Sequence, residues 1–429
     1  MRTVLSADWV LPIGAPAISN GAVAIEDGRI AAVGTRDELG SGIDYAGAAI
    51  LPGFVNAHSH LEYAVYSGFG DGLPFTPWIV LHTERKARIG VPEMETIARL
   101  GAAECLASGI TTIGDCSFSG AAATACAELG LRAIVYIEVF SQDGLTTQMR
   151  TRYEAHRARI EDVLSDRVRI GISPHSLYTA SQELWEEAAA LGLPMATHLE
   201  ESEAEREWLQ TGTGPFADYP IVRTSLDALA EGGLLSTRLT AAHCVYVDDN
   251  EIALLREHGV SVAHCPRSNA LLGCGIAPLR KLLDAGITVG LGTDSPASTP
   301  SFDMFEELRA AVFFARARER RPEALTAAEA LELATLGSAR TLGLDAEVGS
   351  LEPGKRADLV VVSLEGSPFV PWEDPAAAVV LGGSPERVAA TLVDGEVRYE
   401  RGAFDWHELR QNGENARGRL LGLPENPGA

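Results

Sequence analysis

Two histidines separated by a single residue, His58 and His60, are the first pair whose type and spacing could do chemistry. They follow the hydrophobic run LPGFVNA and precede LEY. If the run forms a strand, its side chains alternate between two faces, so both imidazoles point the same way. Two imidazoles at a strand end are either half of a zinc or iron site or two half-buried side chains, and further ligands must decide between these readings.

The elements that would position this pair form a repeating pattern. Eight apolar segments mostly alternate with helical stretches rich in Ala, Glu and Arg. This rhythm over roughly 300 residues predicts a (β/α)8 barrel. An open doubly wound sheet is the alternative, but it would need a glycine-rich phosphate turn after its first strand, which the sequence lacks. The predicted strands are residues 54–60, 109–118, 132–140, 167–176, 193–200, 238–246, 259–266 and 286–294.

Polar residues recur where these strands end. The first strand ends on the histidine pair, and each strand from the fourth to the eighth also ends on a histidine or an aspartate. Active sites of (β/α)8 barrels form at the carboxyl ends of the strands. Convergence of polar residues from six strands therefore predicts a metal-centred site. The additional residues are His175, His198, His243, His264 and Asp294.

Four of these residues are the predicted ligands of one metal ion per subunit. His58, His60 and His198 would supply nitrogens and Asp294 a carboxylate, which suits Zn²⁺, with Fe²⁺ or Mn²⁺ as alternatives. A metal-bound water has a pKa of about 7, and Asp294 would hydrogen-bond it. The chain has three lysines, none on a predicted strand that carries these ligands. A carboxylated lysine bridging two metals is therefore not expected.

Acid–base chemistry is predicted for Glu201, three residues after the histidine of the fifth strand. Its carboxylate could move a proton from water to the substrate and then to the leaving group. Glu200 is an alternative for this role, since the loop geometry is not visible in the sequence. His243 is a candidate for orienting the water. His175 and His264 are candidates for contacting the substrate or supporting the metal ligands.

Both ends of the chain are predicted to pair into one small β-sandwich. Each end holds two alternating apolar runs joined by Asp-Gly, at positions 27–28 and 394–395, and Asp-Gly is a strong hairpin signal. A helix and then a loose end are predicted after Trp406. The predicted units are residues 1–52 and 356–429 for the sandwich and tail, and residues 53–355 for the inserted barrel.

Composition excludes several classes of function. The net charge of −24 argues against a nucleic-acid partner. No apolar run approaches the roughly 18 residues of a membrane span, and no signal-peptide pattern is evident. The six cysteines are scattered along a long chain and do not suggest a disulfide framework. We therefore expect a cytoplasmic protein that binds neither nucleic acid nor a membrane.

A series of motifs spanning residues 52–362 resembles the amidohydrolase superfamily, in its branch of cytosine, guanine and adenosine-type deaminases and triazine hydrolases. The motifs are PGFVNAHSH, SPHSLYTAS, THLEE, AHCVYV, AHCPRSN, GCGIAP, GLGTDSPAS and GSLEPGKRADLVVV. The resemblance implies a terminal β-sandwich and hydrolytic attack at a ring carbon with loss of an amine or another leaving group. It implies these roles: His58, His60, His198 and Asp294 as metal ligands, Glu201 as proton shuttle, His243 as the residue that orients water, and His175 as a substrate contact.

Two further features resemble aminodeoxyfutalosine deaminases of the futalosine route to menaquinone. The motif HCPRSN places Arg267 at the mouth of the seventh strand, where it would bind a substrate carboxylate or pair with a loop acid. The loop after the first strand contains Phe75, Trp78 and Arg85 and is shorter than in adenosylhomocysteine deaminases, whose glutamate there clasps the ribose. Glu84 is the nearest candidate for that contact, but its spacing from Trp78 differs.

The sequence thus predicts a metal-dependent deaminase that releases ammonia from an adenine nucleoside, with 6-amino-6-deoxyfutalosine as the favoured substrate. S-adenosylhomocysteine or methylthioadenosine is the alternative within the same chemistry. A triazine or guanine hydrolase or an imidazolone-type amidase is a second alternative, and a non-catalytic binding protein is a third. Because relatives often dimerise, we expect a homodimer. The expected binding partner is a small-molecule nucleoside substrate.

Overall fold

The computed structural model describes residues 2–40, 42–141, 146–218, 222–366 and 373–423, without the side chains of residues 146–149. Its strands are β1 (Arg2–Val10), β2 (Ile18–Glu26), β3 (Arg29–Thr35), β4 (Ile43–Pro52), β5 (Phe54–Ser59), β6 (Ile110–Ser117), β7 (Arg132–Val139), β8 (Val168–Pro174), β9 (Met195–Leu199), β10 (Leu239–His243), β11 (Ser261–His264), β12 (Val289–Leu291), β13 (Leu359–Ser363), β14 (Val388–Val393) and β15 (Glu396–Glu400). Its helices are α1 (Arg36–Leu39), α2 (Phe75–Lys86), α3 (Val91–Ala107), α4 (Ala121–Leu129), α5 (Thr146–Ile160), α6 (Gln182–Ala190), α7 (Glu203–Thr211), α8 (Leu226–Glu231), α9 (Asp249–Glu257), α10 (Pro266–Leu271), α11 (Leu279–Asp284), α12 (Met304–Glu319), α13 (Ala327–Glu332), α14 (Ser338–Thr341), α15 (Pro375–Gly382) and α16 (His407–Leu420).

Strands β5 to β12 form one parallel eight-stranded sheet in sequence order, which confirms the predicted barrel. Side chains of β7 are buried along its whole length, as expected for a parallel strand covered on both faces. The last strand returns to the first, because the amide of Asp294 donates to the carbonyl of His58 at 3.0 Å. Gly292 permits this closure, since a Cβ there would lie 2.8 Å from the Cβ of His58.

A second sheet unites the two ends of the chain. Its seven strands run in the order β15-β14-β13-β4-β1-β2-β3, and β4 pairs antiparallel with β13. Both predicted hairpins are present, with φ of 50° and 75° at Asp27 and Gly28 and of 51° and 75° at Asp394 and Gly395. Positive φ at both turn residues matches the tight hairpin turn that follows the twist of its strands.

The small β-domain predicted from both termini is therefore confirmed, together with the barrel. The exact unit boundaries at residues 52 and 355 stay predictions. The predicted helix after Trp406 is α16, whereas the predicted loose end at residues 424–429 lies outside the described residues. In the described ranges, no helix is long and apolar enough to cross a membrane.

A buried arginine joins the two sheets. Arg132, at the start of β7, pairs through Nε with Asp358 at 2.8 Å and through Nη2 with Asp394 at 2.7 Å. The side chains of Arg132 and Asp358 are 2% and 1% exposed. A buried charge is tolerated when it is paired, but removing one partner would leave the other charge buried and unpaired. The contact therefore fixes the terminal sheet to the amino ends of the barrel strands.

Candidate metal centre and active site

Four side chains converge at the carboxyl ends of β5, β9 and β12. His58 and His60 share one face of β5 and its end because strand side chains alternate. The Nε2 atoms of these two histidines lie 3.7 Å and 3.6 Å from Oδ1 of Asp294. The Nε2 atom of His60 lies 3.1 Å from that of His198. These residues are at most 7% exposed, so the barrel brings the four predicted metal ligands into one buried cluster.

The donor set fits a divalent cation. Burial lowers the pKa of His58, His60 and His198, which leaves neutral imidazoles with lone pairs available. Nδ1 of His198 lies 2.8 Å from the carbonyl oxygen of His175 and donates to it, which directs the Nε2 lone pair toward the cluster. Nε2 of His58 is buried and has no hydrogen-bond partner in the described part of the chain. Two facing ring nitrogens and an unpartnered third suit a shared metal ion.

Asp294 is held in a strained and specific position. Its φ of 54° is unusual for a residue other than glycine, a feature that clusters at functional sites. Ser268 and Ser298 donate to Oδ2 at 2.7 Å and 2.6 Å, so Oδ1 is left to face the histidines. Burial opposes ionisation of Asp294, but His243, His60 and the two serines outweigh it and lower the pKa. The carboxylate is thus ionised and oriented toward the cluster.

Glu201 and His243 stand beside this cluster. Oε1 of Glu201 lies 3.7 Å from Nε2 of His243. Nδ1 of His243 donates to Oδ1 of Asn269 at 2.9 Å, which leaves its Nε2 without a hydrogen. Burial, followed by the charge of Asp294, raises the pKa of Glu201. A carboxyl group and an imidazole nitrogen therefore face the same small space and can exchange a proton with a bound molecule.

Backbone geometry places the adjacent acids Glu200 and Glu201 in different surroundings. Glu200 has a φ of 49°, and its side chain turns away to pair with Arg206 at 3.1 Å. Glu201 remains on the cluster side, and its amide donates to Glu205 at 2.8 Å, which fixes the loop. Glu203 is exposed at the start of α7, in keeping with a solvated helix start. Of these acids, Glu201 is the one beside the cluster.

The predicted substrate contacts lie in different surroundings. His175 is held by Thr179, 2.9 Å from its Nδ1, and its ring lies against that of His198 with 4.7 Å between centroids. His264 is 2% exposed, and its Nδ1 lacks a hydrogen-bond partner in the described ranges. Trp78 donates from Nε1 to the carbonyl of Ala297, beyond β12, at 3.3 Å. His175 and His264 therefore lie at strand ends, whereas Trp78 lies on α2 and contacts the segment after β12.

Two predicted substrate contacts are not brought to the cluster. Glu84 is exposed on α2, away from the buried cluster, so the structure does not support a ribose contact there. Arg267, with 10% of its side chain exposed, pairs with Glu306 at 2.6 Å and with Glu307 through Nε, while Nη2 donates to the carbonyl of Ser301 at 2.7 Å. This is the salt bridge that the sequence left as the alternative, and it occupies the guanidinium.

Several residues of this region were missed by sequence reasoning. Glu138 ends β7 with 2% exposure, and its Oε1 lies 3.9 Å from Nδ1 of His60 and 4.0 Å from Nε2 of His175. Asp115, on β6, accepts from the amide of Leu61 at 2.8 Å and so fixes the chain just after the histidine pair. The signal was available, since both acids lie within segments predicted as strands, where charged residues are rare.

Segments above the strand ends meet in an aromatic cluster. Phe75 is the first residue of α2, Tyr178 follows β8, Phe216 follows α7 and Cys274 follows α10. The rings of Tyr178 and Phe216 stack with 4.7 Å between centroids. This cluster encloses the carboxyl face of the barrel on one side and gives an apolar wall suited to a planar ring.

A barrel with imidazole and carboxylate donors at its carboxyl face is the architecture of a metal-dependent hydrolase. The chain belongs to the amidohydrolase family, whose profile matches residues 49–398. A short match over residues 21–40 is to an imidazolonepropionase-like composite domain of bacteria. The family is metal-dependent, and the chain is a hydrolase that acts on a carbon–nitrogen bond.

Similar proteins of known name extend over nearly the whole chain. A 5′-deoxyadenosine deaminase from Methanothermobacter thermautotrophicus is 35% identical over 407 residues, which are 92% of each chain. A 5-methylthioadenosine/S-adenosylhomocysteine deaminase from Moorella thermoacetica is 33% identical over 408 residues, covering 92% of this chain and 93% of that one. Among solved structures, a zinc-bound adenosine deaminase from Xanthomonas campestris has a TM-score of 0.87 at 29% identity, covering 98% of this chain and 99% of that chain.

Proposed function

We propose that this protein is a metal-dependent hydrolytic deaminase of 5′-modified adenine nucleosides. The observation that carries the proposal is the buried cluster of three histidines and Asp294, with Glu201 and His243 beside it. Relatives that deaminate 5′-deoxyadenosine, methylthioadenosine and adenosylhomocysteine support the nucleoside class. The reaction converts the C6 amine of adenine and water into a C6 carbonyl and ammonia.

The metal ligands in this proposal are His58, His60, His198 and Asp294. Bound there, a divalent ion supplies Lewis acidity, which brings the pKa of water near 7. Asp294 Oδ1 accepts a hydrogen bond from the attacking water, because Oδ2 is already taken by two serine hydroxyls. His243 Nε2, which carries no hydrogen, accepts a second hydrogen bond and orients the water toward C6.

Glu201 moves the protons in this scheme. Its carboxylate accepts one proton from the attacking water and delivers it to the ring nitrogen next to C6, which neutralises the negative charge that develops in the ring. The carboxylate then takes the proton from the new hydroxyl and delivers it to the amine. The C6–N bond breaks and ammonia leaves. One acid group serves both transfers, since the other nearby glutamates are held by Arg206 or by the backbone of the loop.

Two kinds of substrate are candidates within this class. The resemblance of HCPRSN and of the short loop after β5 to aminodeoxyfutalosine deaminases favours 6-amino-6-deoxyfutalosine, and thus a step of menaquinone biosynthesis. The named relatives support methylthioadenosine or adenosylhomocysteine at least as well. Arg267 does not contribute to this preference, because two glutamates occupy its guanidinium. Zinc as the metal, a homodimer and a cytoplasmic location stay predictions.

The test is ammonia release by zinc-loaded protein across a panel of substrates. The panel comprises 6-amino-6-deoxyfutalosine, adenosylhomocysteine, methylthioadenosine, 5′-deoxyadenosine, adenosine, guanine and cytosine. We expect turnover of the 5′-modified adenine nucleosides well above that of the free bases. Turnover confined to guanine or cytosine, or chloride release from a chlorotriazine without any deamination, would refute the proposal.

A further inference from the structure

We propose that Lys86 and Arg152 form a subsite for a carboxylate at the end of the 5′ substituent of the nucleoside. The inference rests on the proposed function and names a feature of its substrate. Lys86 is the last residue of α2, and Arg152 lies on α5. The two positive charges come from different helices to the same aromatic ring, on the β6–β7 side of the barrel mouth.

That ring is Phe118, directly after β6. The ammonium nitrogen of Lys86 lies 3.8 Å from its centroid, and the guanidinium carbon of Arg152 lies 4.6 Å from it. Arg152 also lies 5.8 Å from the centroid of Phe140. Cation–π contacts hold the charges in place without using their N–H groups. The cations are thus positioned while most of their hydrogen-bond donors stay available.

Their hydrogen-bonding capacity is largely unused. An ammonium group has three N–H donors and a guanidinium has five. Lys86 donates to the hydroxyl of Tyr63 at 3.0 Å. Over the ranges that the structure describes, Arg152 has cation–π contacts but no hydrogen bond or ion pair. In a chain with a net charge of −24, two partly buried cations that contact no acid of the described ranges are unusual.

Two acids face this pair, and neither fills its donors. Glu62 is engaged by the hydroxyls of Ser117 and Ser119 and by the amides of Ser119 and Ala121, at the amino end of α4. Glu138 makes its closest charged contacts with two histidines, at 3.9 Å and 4.0 Å. Neither acid lies within 4.0 Å of Lys86 or Arg152 in the described residues. Both acids attract Lys86 over a longer distance, and Glu138 also attracts Arg152, so the charges are balanced. What remains open to an anion in direct contact is the set of unused N–H donors on the two cations.

Aromatic faces connect the metal cluster to this pair. The ring of His175 lies 4.8 Å from that of Phe140, and Phe140 lies 6.2 Å from Phe118. A nucleoside with its base at the cluster can therefore extend its 5′ substituent along these rings to the cations. Carboxylates bind such donors through charge-assisted hydrogen bonds. The benzoate of 6-amino-6-deoxyfutalosine could contact both the aromatic rings and the two cations. The amino-acid group of adenosylhomocysteine also carries a carboxylate for the cations but has no aromatic ring.

The experiment measures kcat/KM for wild type, Lys86→Met and Arg152→Met with three substrates. These are 6-amino-6-deoxyfutalosine, which carries a benzoate, adenosylhomocysteine, which carries an amino-acid carboxylate, and methylthioadenosine, which carries no acid. The matched control is Arg150→Met, because Arg150 lies on the same helix with a side chain 71% exposed and pairs with Glu154. Methylthioadenosine turnover and the melting temperature verify that each variant is folded.

We expect Lys86→Met and Arg152→Met to lower kcat/KM for the benzoate nucleoside by about 10-fold to 100-fold, as for a lost hydrogen bond to a charged group. Turnover of methylthioadenosine should change by less than about 3-fold, and the control should match wild type. A parallel loss with adenosylhomocysteine would extend the subsite to amino-acid carboxylates. An equal loss of kcat/KM with methylthioadenosine, or no loss with either acidic nucleoside, would overturn this inference but not the proposed function. A wild type inactive on every adenine nucleoside would overturn the proposed function and this inference with it.

Discussion

Replacing Glu201 with glutamine is the sharpest test of the chemistry proposed for this site. The side chain keeps its size and its ability to hydrogen-bond but loses the capacity to accept and release a proton. Its neighbourhood offers no substitute. Glu200 is paired with Arg206 at 3.1 Å, and Oε2 of Glu205 is held by the amide of residue 201 at 2.8 Å. The substitution therefore removes proton transfer while leaving the four predicted metal ligands in place.

The expected loss follows from the absence of a substitute acid. A positioned general acid or base contributes about 100-fold to 10,000-fold to rate. Since Glu201 serves two successive proton transfers and no other carboxyl group takes its place, we expect kcat to fall toward the upper end, by about 1,000-fold to 10,000-fold. In free energy this is about 4 to 5.5 kcal/mol of transition-state stabilisation. KM should change little because the amide preserves the shape of the site.

The assay is steady-state ammonia release, together with metal content by elemental analysis. Glu203→Gln is the matched control, since residue 203 lies on the same segment but is exposed at the start of α7. The control should retain wild-type kcat and metal content. If Glu201→Gln with a full complement of metal retains more than about a tenth of wild-type kcat, the proton-transfer role is wrong.

Three further outcomes are expected. Arg267→Met should lower the free energy of unfolding by about 3 to 5 kcal/mol in denaturant titrations, because Glu307 is left buried without its counter-ion. The same variant should keep the wild-type ratio of kcat/KM for the benzoate nucleoside to that for methylthioadenosine. Burial raises the pKa of Glu104 from 4.5 to about 7, so the folded state keeps a proton that the unfolded state releases, and stability falls as pH rises through this window. Glu104→Gln should therefore gain in melting temperature relative to wild type between pH 5 and pH 8. Removing the metal with a chelator should lower both melting temperature and ammonia release, and added zinc should restore them.

The barrel could be predicted because each of its strands has a recognisable pattern in a short stretch of sequence. Each of the eight strands is a short apolar run between helical stretches, and parallel strands buried on both faces produce such runs. The spacing of His58 and His60 placed both on one face before any fold was known. The convergence of His198 and Asp294 on that pair then followed from a general property of the barrel, whose strands all end at one face.

The sequence favoured Glu201 over Glu200, but it could not supply the geometry that separates neighbouring polar residues. Glu200 and Glu201 are adjacent acids, and a φ of 49° at Glu200 decides which one faces the cluster. The partners of Arg267, Glu306 and Glu307, lie about 40 residues further along the chain, on a different helix. Hydrophobic periodicity predicts helices around a barrel, but it does not predict which long side chains of different helices contact each other. Glu138 was overlooked because an acid inside an apolar strand did not match the pattern of strand-end histidines.

Two arginines at the barrel mouth show why pairing matters more than position in assigning a substrate contact. Arg267 follows the seventh strand at a place that suggested carboxylate binding, yet two glutamates and a backbone carbonyl use its donors. Arg152 lies on a helix that drew no attention in the sequence. Its guanidinium lies over two aromatic rings, and no acid contacts it among the residues that the structure describes. Binding a carboxylate at Arg267 would require breaking buried ion pairs, which costs several kcal/mol. At Arg152 no ion pair within the described residues has to be broken, which is why we propose Arg152 and Lys86 for the recognition of an acidic nucleoside.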